Sequence, residues 1–307
     1  MELYKRKAVI IAKIETVYGT DSVPLGANAI GVTDLKVEPA KGTKKKREIY
    51  YPDFSTQPHI ITQQHQAVSF TVELKGGGAA GTVPECGVLL RSCMMSETIS
   101  AGVDVAYQPV SEDFESCSIY VNQDGILHKL PGFRGTVKFN VNGGDYPTAF
   151  FSGLALAVSP ADVAPVVPVY TSVVPVEVNE VNTTFTFGGF AAVLHSLEVD
   201  LGVSTKFREL PNQEAAIMIT GRDCKGSLTM DAIKNADHNF WADWAAATPL
   251  VLAMAHGTVA GNIVEIDAPK AQMDSVDYGD ADNILTFNQP LAFTRDAGDD
   301  EVVITFR

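Results

Sequence analysis

The sequence predicts a mainly β protein built from two tandem β-sandwich units, each with one short flanking helix. Three observations carry this reading. Apolar and polar residues alternate over many short runs, two stretches break the alternation with helical spacing, and several phrases recur in the same order roughly 160 residues apart.

The alternation is clearest in Leu35-Lys36-Val37-Glu38, in Val68 to Leu74, in Thr136 to Val141 and in Ser227 to Asp231. Period two over short runs, punctuated by Gly, Asn and Pro, marks antiparallel strands with one buried face. The two exceptions are Pro84 to Met94 and Asp237 to Ala247. In the second, Asp237 is the expected N-cap, and Phe240, Trp241 and Trp244 fall on one helical face.

The repeat supplies the organisation. Leu35-Lys36-Val37-Glu38 matches Leu197-Glu198-Val199-Asp200, Lys45-Lys46-Arg47-Glu48-Ile49 matches Lys206-Phe207-Arg208-Glu209-Leu210, and Ser69-Phe70-Thr71-Val72 matches Ser227-Leu228-Thr229-Met230. Asp145 to Phe150 aligns more loosely with Asp282 to Phe287. Each half reads as strand, long polar excursion, strand, helix, further strands. The expected boundaries are an N-terminal arm over 1–30, a first unit over 31–158, a Pro-rich linker over 159–190 and a second unit over 191–307. Prolines at the density of Pro160, Pro165, Pro168 and Pro175 lack ladder donors and favour extended chain.

At 307 residues the chain is long enough for two cores. Its formal charge is −14, which disfavours a protein that grips a phosphate backbone. The charge is uneven: residues 1–150 hold 15 basic and 16 acidic residues, leaving 8 and 21 for the remainder. No apolar run approaches the roughly 20 residues of a membrane span, and the run from Ala8 to Ala12 is too short for a signal-peptide core, so a cytoplasmic site of synthesis is expected.

Chemical motifs fail one by one. Gly76 to Gly81 satisfies Gly-x-Gly-x-x-Gly, but a dinucleotide site needs a parallel βαβ unit, so a turn is expected. Asp277, Asp280 and Asp282 lack calcium-loop spacing and read as a polar hairpin tip. His59, His65, His128, His195, His238 and His256 are scattered, and Cys86, Cys93, Cys117 and Cys224 show no Cys-x-x-Cys pair, so no metal site is expected and the thiols read as reduced packing residues. No Gly-x-Ser-x-Gly elbow occurs. The expectation is no catalytic residue, no cofactor and no enzyme. Lys44-Lys45-Lys46-Arg47 is the one basic cluster of note, a candidate contact with an acidic surface of another subunit.

Glu15 to Pro24 followed by Asn28-Ala29-Ile30, then Tyr107 to Ser111, Asp124 to Leu130, Asn182 to Thr186 and the ending Ala297 to Glu301 resemble major tail tube proteins of long non-contractile phage tails. The resemblance implies tail-tube-type sandwiches that join into rings around a channel and stack into a conduit for genome delivery. A long loop that reaches the neighbouring ring is also implied, so Lys44, Lys45, Lys46 and Arg47 are expected as an inter-ring contact loop, and the internal repeat makes Lys206, Arg208 and Glu209 their second-repeat equivalents. The resemblance also implies a virion location, assembly in the bacterial host cytoplasm, tape-measure and terminator or tip proteins as partners, and double-stranded DNA that passes without specific binding. Two units per chain favour a ring of three copies with pseudo-six-fold symmetry over one of six. The rival reading is another β-rich virion component, a capsid-decorating or tail-shaft adhesion and carbohydrate-binding protein.

Overall fold

The computed structural model describes residues 2–307 and is mainly β, as the alternation predicts. The first half runs β1 (Ala8–Ile14), β2 (Val32–Lys46), β3 (His59–Glu73), α1 (Gly87–Ser92), β4 (Met95–Ser100), β5 (Asp104–Pro109), β6 (Cys117–Gln123), β7 (Ile126–Asn142), β8 (Thr148–Leu156) and β9 (Ala161–Asp162). The second runs β10 (Thr183–Phe187), β11 (Leu194–Asp200), β12 (Ser204–Leu210), β13 (Gln213–Gly221), β14 (Lys225–Asp231), α2 (Phe240–Ala245), β15 (Leu250–His256), β16 (Val264–Met273), β17 (Asp277–Ala281), β18 (Ile284–Phe293) and β19 (Val303–Phe306). Both helices fall within the two stretches that break the period. The N-cap of α2 is Asn239, whose side chain accepts from the Ala242 amide, and not Asp237. Phe240 alone of the three aromatics is fully buried; Trp244 is exposed and donates its indole N–H to the Asp274 carbonyl.

Antiparallel ladders join eight strands into one sheet in the order β2-β3-β8-β7-β11-β14-β18-β17. One face buries Phe70, Val72, Phe139, Phe151, Leu228 and Met230, while the alternate residues Thr71, Lys138, Glu198 and Thr229 stand on the other, the arrangement that period two dictates. Against the buried face lie a four-stranded sheet, β1-β6-β7-β9, and a six-stranded one, β10-β15-β16-β19-β5-β4. One core runs from Ile10 to Phe306 across both halves, with a small satellite of Ile11, Ala29, Tyr120 and Leu127 beside it.

The connections of the two halves run in parallel. The pairings β1–β6–β7–β8–β3–β2 of the first half have counterparts in β10–β15–β16, then β17–β18–β14–β11 of the second. The long strand β7 crosses from one sheet to the other, a course that β16 and β17 divide between them. Three features depart from the sequence reading. Strand β1 lies inside the expected arm, because Ile10 and Ala12 supply a buried face; β10 lies inside the expected linker, because Phe185 and Phe187 do the same. The loose match of Asp145–Phe150 to Asp282–Phe287 is out of register by one residue: Ala149 pairs with Val72 as Phe287 pairs with Met230.

The crossing of β7 is held by Glu15. Its buried carboxylate accepts from the amides of Gly19 and Gly132 at 2.8 and 2.7 Å and from the hydroxyls of Ser116 and Ser118 at 2.6 and 2.7 Å. Gly132, with φ +65, makes the bend that leads β7 out of one sheet and into the next. A buried carboxylate is tolerable only when satisfied in this way. Asp21 adds a second clasp, accepting from the Tyr120 hydroxyl at 2.5 Å and Lys129 at 3.0 Å. The phrase Glu15 to Pro24 is therefore a structural buckle. Replacing Glu15 by Ala strands the Gly19 and Gly132 amides, each worth about 1–3 kcal/mol when left unpaired. Urea unfolding of the Glu15→Ala protein should show a loss of about 2–5 kcal/mol; an unchanged midpoint would show that the buckle is incidental.

Candidate assembly interface

The two halves meet edge to edge at the centre of the eight-stranded sheet. Residues Asn142 to Lys138 of β7 pair with Ser196 to Asp200 of β11. Phe139 lies opposite Val199, both fully buried. On the other face Lys138 Nζ reaches Glu198 at 2.9 Å and Asp200 at 3.7 Å, and these acids raise the lysine pKa, the Glu198 hydrogen bond most.

The same ladder leaves two outer edges, β2 and β17. Among the described residues neither has a second partner strand. Their residues occupy the positions that β11 and β7 fill at the seam. On one side Leu35-Lys36-Val37-Glu38 stands where Leu197-Glu198-Val199-Asp200 does. On the other, Asp277-Tyr278-Gly279 pairs with β18 as Lys138-Phe139-Asn140 pairs with β8. Tyr278 is 61% exposed where its counterpart Phe139 is fully buried. Glu38 sits between Lys36 at 2.6 Å and Lys41 at 2.7 Å, which hold its carboxyl down at about 2, Lys36 most strongly. An open edge with unpaired amides and carbonyls is a template for another strand.

Beyond Glu38, β2 and β3 continue as a long two-stranded arm. Lys44 pairs with Ile61, Lys45 with Ile60 and Lys46 with His59, and Arg47 begins the tip. All four basic residues are exposed, with Tyr50, Phe54 and Ile60 bare beside them. The expected loop is thus largely β ribbon. Its counterpart is the hairpin β12–β13, which carries Lys206, Arg208 and Glu209 on exposed positions. This hairpin is folded back on the first half: Phe207 stacks on His65 at 5.2 Å, Arg134 Nη1 donates to the Ile217 carbonyl, and the Ile217 amide donates to the Tyr18 hydroxyl at 2.6 Å. The sequence pattern gave no sign of this difference, because Phe207 and Ile217 replace Lys46 and His59 at single positions.

Other candidates resolve as structure. Gly76 and Gly78 bond to Asn262 and Gly261, and a Cβ on Gly76 would collide with the Gly261 carbonyl, so the glycine run is a close packing of two turns. Asp277 and Asp280 lie on β17, and Asp282 opens the turn to β18. His195 and His238 pair with Asp231 and Asp243 at 2.7 and 2.8 Å. The four cysteines are buried and unbridged; burial pushes Cys86, Cys117 and Cys224 up to about 12 and Cys93 upward too. Among the described residues no three His, Cys, Asp or Glu side chains gather at metal-binding spacing, and no helix is long and apolar enough to cross a membrane.

The family described as phage tail tube protein matches residues 5–302. The chain belongs to that family. A search of curated proteins finds no match. As a tail tube protein it is a structural component of the virion tail, and its β-rich sandwich architecture accords with that role. Tail tube proteins work as assemblies, so open edges and an unseated arm are the surfaces of interest.

The seating of β12–β13 rests on Phe207, which is 9% exposed. Phe207→Ala should cost about 3 kcal/mol locally, roughly a hundredfold larger open population and correspondingly faster exchange. Amide hydrogen exchange should show that loss over residues 204–221, with β11 and β14 still protected. Unchanged exchange there would mean that other contacts hold the hairpin.

Proposed function

We propose that this protein is two tandem sandwich units, residues 31–158 and 191–307 with β1 and β10 completing them, and that it self-assembles into rings that stack as a genome-delivery tube. The observation that carries the reading is the β7–β11 seam, an edge-to-edge junction already made inside one chain. Carried to the outer edges, it pairs β17 of one copy with β2 of the next. In that register Val37 stands opposite Tyr278 and covers it, as Val199 covers Phe139.

The charges support the same pairing. Lys138 faces Glu198 across the seam; at the outer junction Asp277 takes the place of Lys138 and Lys36 the place of Glu198. The pair is kept with its signs exchanged. Opposite charges across neighbouring strands contribute roughly 0.2–1 kcal/mol each and penalise wrong partners. Six units closing a ring need three copies, each supplying one seam and one junction.

The polar face of the sheet then lines the channel. Glu73, Glu198, Asp200, Asp231 and Asp277 stand on it beside Lys36, Lys138 and Lys225, among Ser, Thr and Asn. A wall with an excess of acids repels DNA, which carries one negative charge per about 1.7 Å, and lets it slide. The reading needs no catalytic group and no cofactor. Its partners are further copies of itself and the tape-measure and terminator proteins of the tail, put together in the host cytoplasm.

Electron microscopy of the purified protein should show rings of three copies with pseudo-six-fold outline. Lys36→Glu should cut ring yield at least several-fold, and adding Asp277→Lys on the same chain should restore it. Rings of six chains, or a Lys36→Glu protein that assembles as well as the parent, would overturn this arrangement.

A further inference from the structure

The arm over residues 39–64 is exposed almost throughout, and a two-stranded ribbon with no packed face is marginal in water. Its counterpart in the second half has a seat. The two hairpins share one register: Lys44–Ile61, Lys45–Ile60 and Lys46–His59 correspond to Thr205–Ile219, Lys206–Met218 and Phe207–Ile217. The β12–β13 hairpin lies across the half that precedes its own in the sheet, over the end of β3, β8 and β7. No half precedes the first within one chain. In a ring, the half preceding it across the β2 edge is the second half of a neighbouring copy.

We propose that the basic arm of one copy docks on the second half of its neighbour in the same ring, with Lys46 at Asp223. The inference rests on the ring reading above. Phe207 sits on His65, four residues before Ser69; the same step before Ser227 is Asp223, and Lys46 stands where Phe207 does. Asp223 is exposed, 2.6 Å from Lys225, at the end of the sheet where β14 begins. Asp274 and Asp296 follow β16 and β18 at that end, both exposed, with Asp296 paired to Lys270 at 2.5 Å. An apolar and aromatic seat within the chain thus becomes an acidic seat for a basic arm between chains. The uneven charge of the two halves has its use here, since like arms repel and only the acidic half accepts one.

The test is cross-linking of assembled protein. Lys46→Cys and Asp223→Cys are both on exposed positions, while the native thiols are buried. With both substitutions in one chain, a short bismaleimide should give a denaturing-gel ladder that ends at three copies. Mixing the two single variants should give covalent dimers and nothing larger. A ladder that continues past three copies places the arm on the next ring and overturns the proposal, as does the absence of cross-linking. Microscopy of the same samples separates the two readings: three-copy rings without cross-links leave the ring standing and remove the docking, whereas no rings removes both. As a check that needs no new thiol, Lys46→Asp should reduce assembly several-fold and Asp223→Lys on the same chain should recover it; no recovery counts against the pair.

Discussion

The ladder between β7 and β11 is the constraint on which the rest depends. Five residue pairs convert two four-stranded sheets into one of eight strands, and they do so where each sheet would otherwise end in unpaired amides and carbonyls. Everything distal to the ladder inherits its geometry. It carries β12–β13 over the first half, it brings Lys138 to Glu198, and it leaves β2 and β17 as the two ends.

A single ladder would act as a hinge. The second connection lies in another layer, where β19 is held between β16 and β5 and so ties the end of the second half to a hairpin of the first. Tyr107 of β5 packs edge-on against Phe306 of β19 at 5.8 Å and donates its hydroxyl to Glu97. Arg222 reinforces the same side, bonding Asp299 and Glu301 at 2.8 Å while nearly buried. With ladders in both layers and one continuous core between them, rotation of one half against the other would break buried hydrogen bonds and open apolar surface together.

Much of this was legible in the sequence, and the limits have physical causes. Alternation in Val68–Leu74 and Ser227–Asp231 marks central strands because one face is buried whatever lies beside them. The repeat offsets in the Lys45 and Ser69 phrases even carry the hairpin register, since pairing follows from residue count between two fixed strands. The slip at Asp145–Phe150 arose where turn lengths differ between the halves, and one residue suffices to exchange the faces. Strands β1 and β10 were hidden because few apolar residues, flanked by charge or proline, look the same in an arm or a linker as in a strand. The seam was out of reach for another reason: edge pairing is decided by backbone groups that every sequence has. Of the candidate site residues, the basic cluster is legible by charge alone and Asp277 only as part of a polar hairpin tip, whereas Lys138 and Asp223 enter the proposed contacts only when the repeat is read through the ladders.

The seam also changes the entropy of building anything larger. Each association of free bodies gives up translational and rotational freedom at an estimated cost of about 4–15 kcal/mol, while a junction formed inside one chain is met at the high effective concentration set by its linker. In a ring that alternates seams with junctions, every second contact is complete before two chains meet. Fewer encounters separate a free chain from a closed ring, and fewer partly built rings accumulate on the way. Tethering has a further effect: contacts that never need to find each other in solution are free to be apolar and close, as Phe207 on His65 is, while those that must be found from a distance can rely on charge, whose reach extends about 8–10 Å through the surrounding salt.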